Sequence, residues 1–159
     1  MTLTAHVATG IAVGSLTDNS SVGFFAGWLT HHVVDGIPHS DPGSWGAVGE
    51  SVFKNRRSLI WTVCDITIAT TLFFLFLSLS GFSTVLFISV LGAAIPDLID
   101  NSPFWSKPLR KLPPLKWFHQ FHEVIHYTIK VKKYLWLGIM TQILIIIVSL
   151  AAFLLSSAR

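Results

Sequence analysis

Residues 134–156 read YLWLGIMTQILIIIVSLAAFLLS, a run that contains no charged side chain. A helix needs roughly 20 apolar residues to cross a hydrocarbon core of about 30 Å, so this stretch predicts a membrane-spanning helix. The composition agrees, because 52% of the 159 residues are hydrophobic, 12% are charged and the mean hydropathy is +0.63. A disordered chain, a coiled coil and a soluble domain with a charged surface are therefore excluded.

Four further apolar segments precede this run. They are residues 3–16, 22–36, 59–79 and 82–99. The first two are short and rich in glycine, and the turn-forming residues 17–21 separate them, so we expect a helical hairpin packed through Gly10, Gly14, Gly23 and Gly27. The sequence predicts an all-α fold, with residues 1–159 forming one membrane-embedded domain of about five helices.

The basic residues are distributed unevenly along the chain. None precedes Lys54, and seven of the eleven lie between Lys107 and Lys133, whereas the connection at 80–82 carries none. The positive-inside rule makes the basic side cytoplasmic, so we expect a multi-pass protein of the inner (plasma) membrane. Because these residues adjoin apolar runs, we expect contacts with anionic lipid rather than nucleic acid, and Arg110 or Lys116 is a candidate for phosphate recognition. The single cysteine, Cys64, excludes an intramolecular disulfide and a multi-cysteine zinc site.

All seven histidines fall in three short stretches. His6 stands near the start of the first segment, residues 31–41 contain the pattern H-H-x-x-D-x-x-P-H-x-D, and residues 119–126 contain H-x-x-H-E-x-x-H. A fourth polar group, Asp97 and Asp100 in P-D-L-I-D, has no histidine. On the predicted topology all four groups reach the cytoplasmic face of the membrane.

The spacing within these groups is typical of metal ligands. His31 and Asp35 are four residues apart, and His119, His122 and His126 have the i, i+3, i+7 spacing of one helix face. Imidazole and carboxylate bind zinc, manganese or iron, and the candidates outnumber the ligands of one zinc ion, which favours two divalent ions, most simply zinc. The predicted ligands are His6, His31, His32, Asp35, His39, Asp41, Asp97, His119, His122 and His126.

Five carboxylates lie outside this ligand set, and three of them, Asp65, Asp100 and Glu123, bear on the function of the site. Asp100 and Glu123 are the predicted catalytic residues, because a surplus carboxylate beside a metal can orient or deprotonate a water. Asp65 lies inside an apolar segment, where a carboxylate is costly. It is either functional or a packing residue bonded to its own helix.

These motifs resemble those of a family of small bacterial membrane proteins described as membrane-bound metal-dependent hydrolases. The resemblance lies in T-x-H-x-x-x-G from Thr4, H-x-x-D-x-x-P-H-x-D from His32, P-D-x-x-D from Pro96 and the histidine cluster ending at His126. The pairs His31/Asp35 and His119/Glu123 are also similar to helical ligand pairs of zinc-dependent phospholipase C, although this chain lacks that enzyme's N-terminal tryptophan ligand. The family description implies hydrolysis.

Taken together, the sequence predicts a metal-dependent hydrolase with a cytoplasm-facing cavity, acting on a phosphoester in a lipid or lipid-linked substrate. Two alternatives stay open at this point. A metal or proton-coupled transporter would need polar groups through the membrane, whereas residues such as Thr141 and Gln142 are uncharged. A non-catalytic membrane protein would use bound metal only to fix its loops.

Overall fold

The structure, a computed structural model, describes residues 1–45 and 52–157. Its helices are α1 (Leu3–Gly14), α2 (Ser20–Asp35), α3 (Arg56–Ser80), α4 (Thr84–Asp100), α5 (Ser106–Leu109), α6 (Pro113–Ile125) and α7 (Leu135–Ser157). Three short 3-10 turns accompany them, at Pro42–Trp45, Val52–Lys54 and Lys132–Tyr134. The described residues contain no strand, only an isolated bridge between His39 and Thr128. The all-α prediction is confirmed.

Five of these helices occupy the five predicted apolar segments, while α5 and α6 lie in the basic stretch between α4 and α7. Two described stretches, Arg56–Leu79 and Lys132–Ser157, are long and apolar enough to cross a membrane. Only 11% and 22% of their most apolar windows are buried inside the protein. Most of their apolar side chains therefore face outward, as helices in contact with lipid do and core helices of soluble proteins do not.

Helix α4 is the element on which α1 and α2 both pack. A Cβ added at Gly10 of α1 would lie 2.8 Å from the Val90 Cα, and one added at Gly27 of α2 would collide with the Ser89 carbonyl. The absence of side chains lets the backbones approach closely, as between small residues in membrane helices. The four glycines do allow close packing, but the atoms nearest to each of them belong to α4 and not to the other helix of the predicted hairpin.

Asp65 of α3 holds the first turn of α1. Its carboxylate accepts hydrogen bonds from the Leu3 and Thr4 backbone N–H groups at 2.7 and 2.9 Å, and from the Thr4 hydroxyl at 2.6 Å. The first N–H groups of a helix have no partner within the helix. A carboxylate at this end is also attracted by the positive end of the helix dipole. Asp65 thus bonds to a neighbouring helix and not to its own.

Helix α7 holds the loop that follows α2. The Gln142 side chain accepts from the Thr2 backbone N–H at 2.9 Å and donates to the Ser40 carbonyl at 2.8 Å, and the Ser40 hydroxyl donates to the Leu135 carbonyl at 2.7 Å. A Cβ at Gly138 would collide with Ser40, so this loop lies directly on the α7 backbone. One buried amide therefore ties the start of α1 to the loop at residue 40.

Replacing Asp65 by alanine should lower the free energy of unfolding by about 1–3 kcal/mol, because buried helix N–H groups lose their acceptor. Equilibrium unfolding in mixed micelles measures the change. Thr67→Ala is the control, since the exposed Thr67 hydroxyl bonds only the Val63 carbonyl of its own helix. Unchanged stability with lost activity in Asp65→Ala would favour a functional role for this carboxylate instead.

Candidate metal centre

The four polar groups identified in the sequence meet at one end of the bundle. The His6 Nε2 of α1 lies 3.2 Å from Asp35 Oδ1 of α2 and 3.4 Å from Asp97 Oδ2 of α4. The His122 Nε2 of α6 lies 3.1 Å from Asp35 Oδ2. Side chains from four helices therefore form one contiguous cluster, and its core of histidine and aspartate is almost entirely buried.

The first ligand group consists of His31, Asp35, Asp97 and His122, whose candidate ligand atoms all lie within 4.8 Å of one another. His31 Nε2 is 3.2 Å from Asp35 Oδ2 and 3.3 Å from His122 Nε2. Asp97 Oδ1 lies farther out, 4.0 Å from His31 Nε2 and 3.9 Å from His122 Nε2. Two helix ends and α6 thus supply two imidazoles and two carboxylates to one point.

The second group consists of Asp35, His39 and His126. His126 Nε2 lies 3.6 Å from Asp35 Oδ2. Asp41 stands at the edge of this group, with its Oδ1 3.2 Å from His39 Nε2. The Met1 ammonium group donates to Asp35 Oδ1 at 2.5 Å and lies 3.4 Å from Asp41 Oδ1. The Met1 nitrogen therefore contacts both carboxylates of this region. Asp35 belongs to both groups.

The histidines of these groups present the nitrogen that a metal needs. His31 Nδ1 donates to the Ala93 carbonyl at 2.8 Å, and His39 Nδ1 donates to the Ile37 carbonyl at 2.7 Å. His122 Nδ1 bonds the Asp100 carboxylate at 3.0 Å, and His126 Nδ1 bonds the Thr128 hydroxyl at 2.9 Å. A proton held on Nδ1 leaves the Nε2 lone pair for coordination, which is the usual arrangement in metal sites.

The spacing of these atoms is compatible with metal ligands as well as with hydrogen bonds. Ligands about 2.1 Å from a tetrahedral zinc ion lie roughly 3.4 Å apart, slightly more than the separations of 3.1 to 3.3 Å among His31, Asp35 and His122. The buried Nε2 atoms of His6 and His39 are close to carboxylate oxygens yet have no hydrogen bond with acceptable geometry. Buried polar atoms without such bonds are costly unless something else binds them.

Two predicted ligands lie beside these groups. The His6 ring stacks on the His31 ring with centroids 4.0 Å apart. His32 is within ligand distance of His31 and His122, but its ring packs against Trp28 and Phe121, with centroids 4.5 and 5.1 Å away. Neither ring nitrogen of His32 forms a hydrogen bond. His32 therefore stands on the aromatic side of the cluster, where it forms a third candidate ligand group with His31 and His122.

Asp100 lies behind the first ligand group. Its Oδ2 bonds both His122 Nδ1 and His119 Nδ1 at 3.0 Å, while its Oδ1 accepts from the Arg110 guanidinium at 2.9 Å. His119 belongs to neither group around Asp35. Glu123 is 72% exposed and lies 3.7 Å from His119 Nε2. These contacts favour Asp100 as the residue that orients His122, while the predicted base roles of Asp100 and Glu123 stay predictions.

The local charges act in opposite directions on the two histidines of the α6 region. Burial opposes the charge on His122, but hydrogen bonds to Asp100 and Asp35 outweigh it and raise the pKa to about 9. Burial and the nearby Met1 ammonium lower the pKa of His126 to about 4. Burial also disfavours the Asp41 carboxylate, yet the Met1 ammonium and His39 together lower its pKa. A metal at His122 must therefore displace a proton, and one at His126 must displace the Met1 ammonium, which lies 3.3 Å from His126 Nε2.

Several partners of the cluster were not anticipated from the sequence. Thr128 donates its hydroxyl to Asp41 Oδ2 at 2.5 Å and also contacts His126, and the Met1 amino group lies inside the second ligand group. The backbone carbonyls of Ala93 and Ile37 orient two ligands. Only Thr128 carried a signal, its position two residues after His126 in the same polar stretch.

Metal content should separate the two groups. Wild-type protein is expected to bind two ions, His39→Ala one, and Asp35→Asn fewer than one, because only Asp35 serves both groups. Elemental analysis of purified protein gives the stoichiometry. Asp18→Asn is the control, since Asp18 lies in the turn between α1 and α2 at the opposite end of the bundle. Full occupancy in Asp35→Asn would rule out this centre.

Comparison with protein-family models, curated proteins and solved structures finds no match to this chain. The resemblance to membrane-bound metal-dependent hydrolases therefore stays a prediction carried by the short motifs. What the structure adds is the geometry of the cluster: buried His/Asp groups that could hold a metal ion.

Proposed function

We propose that this protein is a membrane-embedded, metal-dependent hydrolase that cleaves a phosphoester in a lipid or lipid-linked substrate. The observation that carries the proposal is the position of Asp35, whose carboxylate lies between two sets of histidine Nε2 atoms. A carboxylate shared by two ligand groups is the arrangement that two-metal hydrolytic centres use. The ions are divalent, with zinc the simplest choice and manganese or iron the alternatives.

The proposal divides the chemistry between the ions and the chain. Bound divalent ions lower the pKa of a water and neutralise charge on phosphoryl oxygens. The bundle holds His31 and His39 rigid through backbone carbonyls, and Asp100 fixes His122. Asp41 and Asp97 are each 18% exposed at the edge of the cluster, so a water can reach a carboxylate there. Asp100 and Glu123 remain the predicted residues that orient this water or accept its proton.

The surroundings of the cluster support a lipid-like substrate. Apolar side chains near the partly exposed edge, such as Leu98 and Tyr127, are 45% and 59% exposed. Phe53, before α3, packs on Phe104 after α4, so the basic segments at 54–57 and 107–133 meet at the same end as the cluster. We infer that five helices cross or enter the membrane and that this end faces the cytoplasm. A substrate with its phosphate at the headgroup boundary would reach the cluster sideways.

The proposed orientation predicts the sidedness of labelling. In a Cys64→Ala background, a cysteine at Lys111 should react with an impermeant maleimide only from the cytoplasmic side, and one at Asp18 only from the opposite side. Right-side-out and inverted vesicles provide the two accesses. Reaction of both positions from one side would contradict the topology.

Hydrolysis should depend on metal and on the residue behind it. We expect the purified protein to cleave a short-chain phospholipid or an aryl phosphate, and chelation followed by zinc to abolish and restore this activity. Asp100→Asn should weaken metal binding by about 10–100-fold, because His122 loses the partner that orients it. Glu123→Gln, a change at an exposed neighbour on α6, is the matched control and should leave metal binding unchanged.

These variants also test the predicted base roles. If Asp100→Asn keeps its metal but turnover falls by about 10²–10⁴, Asp100 is the general base rather than an orienting residue. If no phosphoester is cleaved and the protein instead accumulates metal in proteoliposomes, the transporter is the correct function. Metal-dependent stability with neither activity would favour the non-catalytic alternative.

A further inference from the structure

Helix α6 presents three different stripes along its length. One stripe faces the cluster and includes Phe118 and the buried His122. A second stripe is apolar and exposed, with Trp117, Phe121 and Val124 showing 68%, 46% and 86% of their surface. These three residues follow the i, i+4, i+7 spacing of one helix face.

The third stripe of α6 is polar and exposed, and consists of Lys116, Gln120 and Glu123. It has the same spacing and lies one residue earlier along the chain, so it is rotated by about 100° from the apolar stripe. An apolar stripe beside a polar stripe is the pattern of a helix that lies in the plane of a membrane interface. On a surface that contacts only water, an exposed apolar stripe of this kind would be unfavourable.

The apolar stripe of α6 continues an exposed apolar stripe on α2. Phe25, Leu29 and Val33 of α2 are 67%, 58% and 60% exposed and follow one another at intervals of four residues. The Phe121 ring contacts the His32 ring, which belongs to the same end of α2. The two stripes therefore meet near His32, where an apolar helix surface reaches the end of the bundle that carries the cluster.

The charges on and around α6 indicate what kind of surface covers its exposed side. Residues 101–133 contain seven basic side chains and one acidic side chain, Glu123. Lys107, Lys111 and Lys116, on or just before α6, are all exposed. Each such residue near a bilayer surface gains about 1 kcal/mol from anionic headgroups. The partner that fits both the apolar stripe and these lysines is an anionic lipid surface.

We propose that the Trp117–Phe121–Val124 stripe of α6 is buried in the interface of an anionic bilayer, and that this contact presses His122 and His126 into the metal centre. The contacts of His119 and His122 with Asp100 and of His122 with Asp35 hold the body of α6. The chain that follows α6 is held by backbone bonds from Tyr127 and Ile129 to the Asp35 and His39 carbonyls. Lipid on the outer face would oppose release of the helix. The effect on the centre rests on the proposed metal function, whereas the lipid contact does not.

Spin labels test the lipid contact directly. In a Cys64→Ala background, nitroxides at Val124→Cys and Gln120→Cys are compared in nanodiscs of phosphatidylglycerol and phosphatidylcholine. The label at residue 124 should respond more strongly to oxygen than to chromium oxalate, and the label at residue 120 should show the reverse order. Leu29→Cys, on the exposed stripe of α2, provides the lipid-facing reference.

Equal exposure of both labels to chromium oxalate would overturn the lipid contact. Protection of residue 124 that grows with protein concentration at constant lipid would overturn it as well, because a second copy of the chain would then cover the stripe. Neither reading requires a bound metal or a turnover assay. A failed hydrolysis assay therefore leaves this result intact.

Metal retention tests the coupling between the bilayer and the centre. Val124→Asp should release metal to a weak chelator at least about tenfold faster than Val124→Leu, since a buried charge would lift α6 out of the interface. Nanodiscs made of phosphatidylcholine alone should weaken retention by the unmodified protein in the same direction. Identical retention in all these samples, with residue 124 in lipid, would overturn the coupling while leaving the contact.

Discussion

The buried carboxylate of Asp35 is the constraint on which the rest of the cluster depends. An ionised carboxylate removed from water is costly unless hydrogen bonds or cations compensate it. Here the last residue of α2 is fully buried, and its two oxygens contact His31, His122 and the Met1 ammonium. Removing Asp35 would leave several buried nitrogen atoms without a common partner. The helix ends around it would then lose the contacts that hold them together.

The apolar bundle gives this polar centre its rigidity. Helices α1 and α2 approach α4 closely because glycines occupy the contacts, and this brings His31 Nδ1 to the Ala93 carbonyl of α4. Asp65 fixes the first turn of α1, and Gln142 fixes the loop that carries His39. Side chains that are held by backbone groups lose little further entropy when they bind an ion. The same packing that stabilises the fold therefore also orients the candidate ligands.

The histidines of α6 are held in a different way from the others. His6, His31 and His39 lie on or beside helices packed within the bundle, whereas α6 touches the bundle along one stripe and exposes two others. His122 thus depends on polar contacts with Asp100 and Asp35, and His126 on the backbone bonds of the chain that follows α6. Three of the segments that form this cluster are packed within the bundle, whereas α6 is packed on one side only. The position of α6 therefore depends more on the surrounding medium than the positions of the other segments do.

The sequence by itself determined the helical architecture and the identity of the polar groups, because apolar length and the i, i+4 spacing of His31 and Asp35 are local properties. It also placed all four groups at one end, through the alternating direction of successive helices. Only the tertiary structure decided which atoms meet. That Asp35 serves two groups, that Asp100 stands behind His122, and that Asp65 caps α1 are contacts between residues 22 to 87 positions apart, and no local pattern encodes them. They follow from how the helices pack, through backbone carbonyls and hydrogen bonds that carry no signature in the sequence.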